Sequence, residues 1–311
     1  MSADTTPPRL IGRAGGLSDG VPAPTLLVVA GLHGNEPAGI VAVESVLATI
    51  ARRGLTPRGT LVALRGNRRA LAVGKRFLER DLNRGWSAEA VAAVREGAEP
   101  ASPEDEERRE LIAALDQVMA AARGPLVVLD LHTTSASGVA FAMVGGDARQ
   151  RAFAARFPLP VVSGLLGRIR GTLLEYLASV GFLALGMEGG QNDRPESALQ
   201  HEALLWLALV ELQMLHPFAV PDLEEHRARL AGARGALPHV VHVHHRHALW
   251  PDDRFQMEPG FANLQRIREG ELLARDRHGE IRAPETGVLL MPLYQALGDD
   301  GFFLGREVVT S

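Results

Sequence analysis

Short apolar runs alternate with amphipathic stretches over the first two thirds of the chain. Residues 25–30, 60–65, 126–131, 139–144, 160–163 and 182–187 are runs rich in Val, Leu, Ala and Phe that stop at Gly or polar residues. Runs of that length and punctuation read as strands buried within an α/β sheet. The segments between them carry helical spacing instead. Residues 37–52 place Ile40, Val43, Leu47 and Ile50 on one face, and residues 103–123 open on Ser-Pro-Glu-Asp and repeat Leu111, Leu115 and Met119; both patterns predict helices. Residues 171–180 and 196–215 predict two more. Strand alternating with helix over about 215 residues implies a sheet sandwiched between helices.

The pattern changes near Pro217 and Pro221, where a charged helix over 222–229 leads into Gly232, Gly235 and Pro238. Beyond it, turn signals follow one another closely: Pro259-Gly260, Glu269-Gly270, His278-Gly279, Ala283-Pro284, Thr286-Gly287 and Gly298-Asp299-Asp300-Gly301. Short segments between such turns predict a small all-β unit. The expected division is an α/β domain at 1–220 and a β domain at 236–311, with no long internal repeat.

Composition narrows the chemistry. The chain has 311 residues and no cysteine, and Lys75 is its only lysine among 33 basic residues. Disulfides, a cysteine nucleophile, iron–sulfur clusters and thiolate zinc sites are therefore excluded, so any metal must sit on His, Asp or Glu. No Gly-Lys-Ser/Thr phosphate loop exists, and a Schiff base would have to use Lys75. A net charge of −4 supplies no global positive field for nucleic acid or an anionic membrane. Residues 1–20 lack the apolar core of a secretory signal, and the apolar stretch 203–215, broken by Glu211, is shorter than the roughly 20 residues needed to span a bilayer. The expected location is the cytoplasm, with a homo-oligomer left open.

Polar residues cluster where the predicted strands end. The first strand runs into Gly31-Leu32-His33-Gly34-Asn35-Glu36-Pro37, past the carboxyl edge at which open α/β sheets place their ligands. His33 and Glu36 could converge on one ion, although a cap His and a first-turn Glu would read the same way. The strand 126–131 then delivers His132 at the same edge. Two His and one Glu form the ligand set of a catalytic zinc with a position left for water or substrate, and zinc lowers the pKa of that water to roughly 7. The strand 182–187 delivers Glu188, which could be a fourth ligand or the general base; three ligands suffice, which favours the base. Between these segments, Asn83 and Arg84 suit bidentate capture of a carboxylate. Arg76 could face the oxyanion formed as water adds to a carbonyl, while Glu79 and Arg80 read as solvated.

Taken in order, Gly-Leu-His-Gly-Asn-Glu, Asp-Leu-Asn-Arg, Asp-Leu-His-Thr-Thr-Ser and Glu-Gly-Gly-Gln resemble the succinylglutamate desuccinylase/aspartoacylase family, which is related in fold to the zinc carboxypeptidases. The resemblance covers most of residues 25–195. It implies a three-layer α/β/α domain, one zinc ion held by His33, Glu36 and His132, and Glu188 as general base. It further implies Arg76 near the oxyanion, Asn83 and Arg84 on a substrate carboxylate, and Asp81 orienting His33. The family's further cationic and tyrosyl contacts find no clear match; Arg168, Arg170 and Tyr294 are the candidates, with the two arginines reading rather as surface residues.

The C-terminal residues, from Ile267-Arg-Glu-Gly through Ala283-Pro-Glu-Thr-Gly, resemble the barrel-sandwich hybrid fold of biotinyl and lipoyl carriers. With no lysine after Lys75, covalent carriage is excluded, which leaves a wall or lid over the catalytic face. Five of the eleven histidines lie in His239-Val-Val-His242-Val-His244-His245-Arg-His247. A second metal site there is the sharper reading and ordinary linker histidines the plainer one. The acidic run 104–107 reads as a helix N-terminus. The leading expectation is a zinc-dependent hydrolase that cleaves the amide bond of an N-acyl amino acid or a related small-molecule N-acyl compound (a C–N hydrolase acting on linear amides). The alternatives are a zinc carboxypeptidase acting on short peptides and a non-catalytic zinc-binding protein.

Overall fold

The structure, a computed structural model, describes residues 6–16, 20–235 and 237–308. Ala236, at which the expected C-terminal unit begins, lies outside the described residues, as do residues 1–5, 17–19 and 309–311.

Eight strands form the first part of the sheet: β1 (Leu10–Gly16), β2 (Thr25–Ala30), β3 (Gly59–Arg65), β4 (Leu126–Thr134), β5 (Phe141–Val144), β6 (Val161–Ser163), β7 (Leu183–Gln191) and β8 (Val240–Ala248). Six more follow: β9 (Gln256–Met257), β10 (Gln265–Ile267), β11 (Leu272–Asp276), β12 (Gly279–Arg282), β13 (Gly287–Leu290) and β14 (Asp300–Glu307). The eleven-stranded sheet has the order β1-β3-β2-β4-β7-β5-β6-β8-β14-β13-β10, and β12-β11-β9 form a second, three-stranded sheet. Strands β3, β2, β4 and β7 are mutually parallel, whereas β1 closes one edge antiparallel to β3. That edge strand was not legible in the mixed composition of the first twenty residues.

Every residue of β2 is buried, as expected for a parallel strand covered on both faces. Its side chains alternate between two cores. Leu26, Val28 and Ala30 join Ile40, Val43 and Val46 of the helix Ala38–Arg52 and Leu204 and Leu207 of the helix Pro195–Glu211. Leu27 and Val29 face Leu111, Ile112 and Leu115 of the helix Pro103–Ala121. The period of two along the strand thus creates the three-layer α/β/α arrangement. A third core, around Phe261, Leu273 and Phe302, fills the C-terminal β region. None of the described helices is long and apolar enough to cross a membrane.

Leu129, at the centre of β4 and fully buried, should carry a large share of this packing. Leu129→Ala is expected to lower unfolding stability by about 2–5 kcal/mol. Val41→Ala, on the exposed side of the first helix, should stay within about 0.5 kcal/mol. Urea titration of the two variants measures the contrast.

Candidate active site

Strand β4 lies between β2 and β7, so the carboxyl ends of the three strands stand side by side. The register sets Ala30 opposite Leu131 and His132 opposite Glu188. Both β4 and β7 run further than their apolar runs suggested, which places His132 and Glu188 within the strands. His33 and Glu36 sit on the turn after β2, where the Glu36 amide donates to His33 O at 3.1 Å. Gly34 is required in this turn: a Cβ there would lie 2.2 Å from the Ala70 carbonyl carbon and 2.4 Å from Lys75 O. Its amide donates to Arg76 O at 3.1 Å, which ties the turn to the segment that carries Arg76.

Four of the expected residues meet around one carboxylate. Glu36 Oε1 lies 2.9 Å from His33 Nδ1 and 3.2 Å from an Arg76 nitrogen, and Glu36 Oε2 lies 3.1 Å from His132 Nδ1. The Thr133 amide donates to Oε2 at 3.1 Å. The far ring nitrogens also face carboxylates: His33 Nε2 is hydrogen-bonded to Asp81 Oδ1 at 3.0 Å, and His132 Nε2 lies 3.1 Å from Asp130 Oδ2 as an ion pair without hydrogen-bond geometry. Burial alone would raise the Glu36 carboxyl, but the His33 charge and hydrogen bonds from His132 and His33 outweigh it and hold Glu36 well below the usual carboxylate range. Asp81 is likewise held low, its burial outweighed by His33, Arg76 and Arg84. Burial lowers His132, yet Asp130 and Glu36 win and leave the ring basic. Glu188 differs: burial raises it to about 7, with His132 opposing and Glu36 adding to the shift.

The intervening loop is built by residues that looked like surface. Glu104 accepts the amides of Leu78, Glu79 and Arg80 at 2.8–3.3 Å and the Asn67 side chain at 3.2 Å. The acidic run therefore does more than oppose a helix dipole, although Ser102 does cap that helix through the Asp105 amide. Arg76 bridges Glu36 and Asp81. Asp81 accepts the Asn83 amide at 2.8 Å, and Asn83 Oδ1 accepts the Leu173 amide at 2.8 Å. Arg84 meets Asp299 at 3.0 Å and Asp300 at 2.8 Å, both from the C-terminal region.

A cavity of about 90 Å³ opens beside these groups, lined by His33, Glu36, Arg76, Asn83, Arg84, Asp130, His132 and Glu188 together with apolar residues. Tyr294 is not among its lining. Its hydroxyl donates to Glu258 O at 2.7 Å and accepts the Phe261 amide at 2.9 Å, so it braces the C-terminal region and does not reach the substrate position expected of it. Arg168 and Arg170 are exposed and stand outside the cavity. The histidine run is also dispersed: it forms β8, where His242 pairs with Ser163 Oγ at 3.1 Å, His244 meets Glu285, and His247 stacks on Phe302. Asp130, His201, Asp299 and Asp300 were not expected at the site. His201 Nε2 lies 2.9 Å from His132 O and burial lowers its pKa to about 4.

Among the described residues, His33, Glu36 and His132 are the one group of three or more whose donor atoms, all within 4.8 Å of one another, could hold a metal ion. The donors suit one. Tetrahedral zinc, with bonds of about 2.0–2.2 Å, holds its ligand atoms roughly 3.3–3.6 Å apart, and here two Nδ1 atoms and a carboxylate already bracket a common point. Glu188 Oε2 is buried beside them without a hydrogen-bond partner among the described residues.

The profile of the Succinylglutamate desuccinylase/Aspartoacylase catalytic domain matches residues 22–208. The chain belongs to this family. Over 59 residues it is 48% identical to the succinylglutamate desuccinylase of Pseudomonas fluorescens, a match that covers 19% of this chain and 18% of that protein; the chain thus spans less than a fifth of the length of such curated relatives. Two solved family structures share the fold. A succinylglutamate desuccinylase/aspartoacylase from Rhodobacter sphaeroides has TM-score 0.68 at 18% identity, covering 96% of this chain and 94% of that one. A Vibrio parahaemolyticus succinylglutamate desuccinylase has TM-score 0.67 at 17% identity, covering 93% and 83%.

His33, Glu36 and His132 bring donor atoms within 4.8 Å of one another, whereas Asp81 meets only the far nitrogen of His33. In titrations with zinc, His132→Ala should abolish stoichiometric binding. Asp81→Asn should keep the stoichiometry but weaken affinity about 10- to 100-fold, as read by competition with a chromogenic chelator. Equal affinities in Asp81→Asn and wild type would remove Asp81 from the orienting role.

Proposed function

We propose that the protein is a zinc-dependent deacylase that hydrolyses the amide of an N-acyl amino acid or a related small N-acyl compound. The observation that carries this reading is the convergence of His33, Glu36 and His132 beside a buried, unpartnered carboxylate oxygen of Glu188. Zinc bound to the three side chains would polarise the scissile carbonyl and lower the pKa of a water to roughly 7.

The chain's own groups then divide the work. Glu188 Oε2 takes a proton from the attacking water and passes it to the departing amine nitrogen. Water oxygen bonds to the carbonyl carbon, the C–N bond breaks, and an acid and an amine result. An apolar setting that raises Glu188 favours such shuttling near neutral pH. Arg76, pinned by Glu36 and Asp81, presents a fixed cation to the negative charge that develops on the carbonyl oxygen. Asp81 and Asp130 hold the two imidazoles in place. Asn83 lines the cavity from its own short turn.

The same reading gives residues 1–220 the chemistry and residues 236–311 a wall over the site. Supporting it, Met291, Leu293, Gln295, Asp299, Asp300 and Phe303 all line the cavity. Tyr294 N donates to Ser135 Oγ at 3.0 Å and Asn263 Nδ2 to Thr134 Oγ1 at 2.8 Å, which anchor that wall to the end of β4.

With zinc supplied, a panel of N-acyl amino acids should be hydrolysed faster than dipeptides. Glu188→Gln should bind zinc as wild type does and lose nearly all turnover, whereas Arg76→Ala should cost about 10² to 10³ in kcat. Full activity of Glu188→Gln in a steady-state assay would sink the mechanism.

A further inference from the structure

The cavity has two unlike walls. One carries the His33–Glu36–His132 group and Glu188. The other is mainly hydrocarbon, built from Met143, Leu165, Leu166, Ile169, Leu174 and Phe303, with Asn83 and Thr172 as polar residues of the same lining; none of the six apolar residues is more than 7% exposed. These apolar side chains begin directly beside the reacting groups. Gly186 precedes Glu188 by two residues in β7 and so shares its face. A Cβ on Gly186 would stand 2.8 Å from Leu174 Cδ2 and 2.9 Å from Met143 Cε, so both side chains fill the place next to the Glu188 carboxylate.

The rim offers no spare cation. The guanidiniums among the described lining residues are those of Arg76 and Arg84, and both are paired. Arg76, held by Glu36 and Asp81, is already committed to the reacting carbonyl oxygen. Arg84 binds Asp299 and Asp300, while Arg246 behind them also meets both aspartates. Two cations and two carboxylates cancel within this quartet. An acyl group ending in a second carboxylate would have to lose its hydration against leucine and isoleucine side chains, or approach Asp299 and Asp300 against their charge. An aliphatic chain faces neither cost and gains from burial.

Resting on the deacylase reading above, we propose that this site takes a short, uncharged aliphatic acyl group, and that Asp299 and Asp300 turn away dicarboxylic acyl groups by occupying Arg84. The acyl half of the substrate is thus an unbranched or short alkanoyl group, bounded in length by the size of the cavity.

The product acids probe the pocket directly. Binding of acetate, butanoate, pentanoate and succinate to the zinc-loaded full chain is measured by calorimetry. Affinity should rise about fourfold per added methylene until the cavity is full, and pentanoate should bind at least tenfold tighter than succinate. The double variant Asp299→Asn/Asp300→Asn frees Arg84 and should tighten succinate at least tenfold while pentanoate changes less than threefold. Arg84→Gln should leave wild-type succinate affinity within threefold. Succinate binding as tightly as pentanoate in wild type, or losing tenfold in Arg84→Gln, overturns the proposal. Turnover is read separately on N-pentanoyl and N-succinyl amino acids. Pentanoate preference without hydrolysis of either sinks the deacylase reading and supports the pocket assignment. Preferred hydrolysis of the N-succinyl compound does the reverse.

Discussion

The Glu36 carboxylate is the group on which the rest of the site depends. A carboxylate removed from water must be matched by donors or cations, because an unpaired buried charge costs several kcal/mol or more. Glu36 finds them on three segments: His33 on its own turn, His132 and Thr133 at the end of β4, and Arg76 on the loop beyond β3. Those segments are brought together by adjacency of β2, β4 and β7, which the alternating side chains of β2 enforce by filling a core on each face. The same convergence that satisfies Glu36 aligns two imidazole nitrogens on a common point. Packing of the sheet and readiness for a metal are therefore one constraint.

What the sequence revealed was local. The strands around His33, His132 and Glu188 showed themselves because continuous apolar runs of five or six residues have few other readings, and the ligand spacing was visible within a single turn. Groups whose role arises through distant contacts were hidden. Glu104 sits in an acidic run that any exposed helix could carry, yet it is buried and organises three amides from another segment. Asp130 was counted as part of a hydrophobic strand, and only the pleat, which sets it on the same face as His132, shows it to be that ring's partner. Tyr294 was drawn toward the site by its chemistry alone; its hydroxyl was already committed to Glu258 and Phe261.

The arginine-rich composition takes on a structural meaning here. Glu107, fully buried, gathers Arg9, Arg68 and Arg69. Guanidinium groups suit such sites because one planar fork can serve two carboxylates at fixed angles, as Arg76 does for Glu36 and Asp81. A flexible ammonium would hold the same charge with less definition of direction. The site is accordingly framed by side chains that fix one another, which is the condition for donors to be in place before charge develops on a substrate.

The C-terminal region then decides what the cavity can hold. Strands β8, β14, β13 and β10 continue the main sheet, whereas β11 and β12 of the segment that resembles a carrier belong to the second sheet. Alternation along β14 sends Phe302 and Leu304 into the third core and Phe303 into the one below the site. Asp299, just before β14, and Asp300, its first residue, both meet Arg84. A single strand and its leading turn thereby supply both a hydrocarbon surface and the countercharge that silences a guanidinium. Such an arrangement selects by what it withholds as much as by what it offers, and because Arg84 also stands 3.9 Å from Asp81, the wall is joined electrostatically to the partners of Glu36.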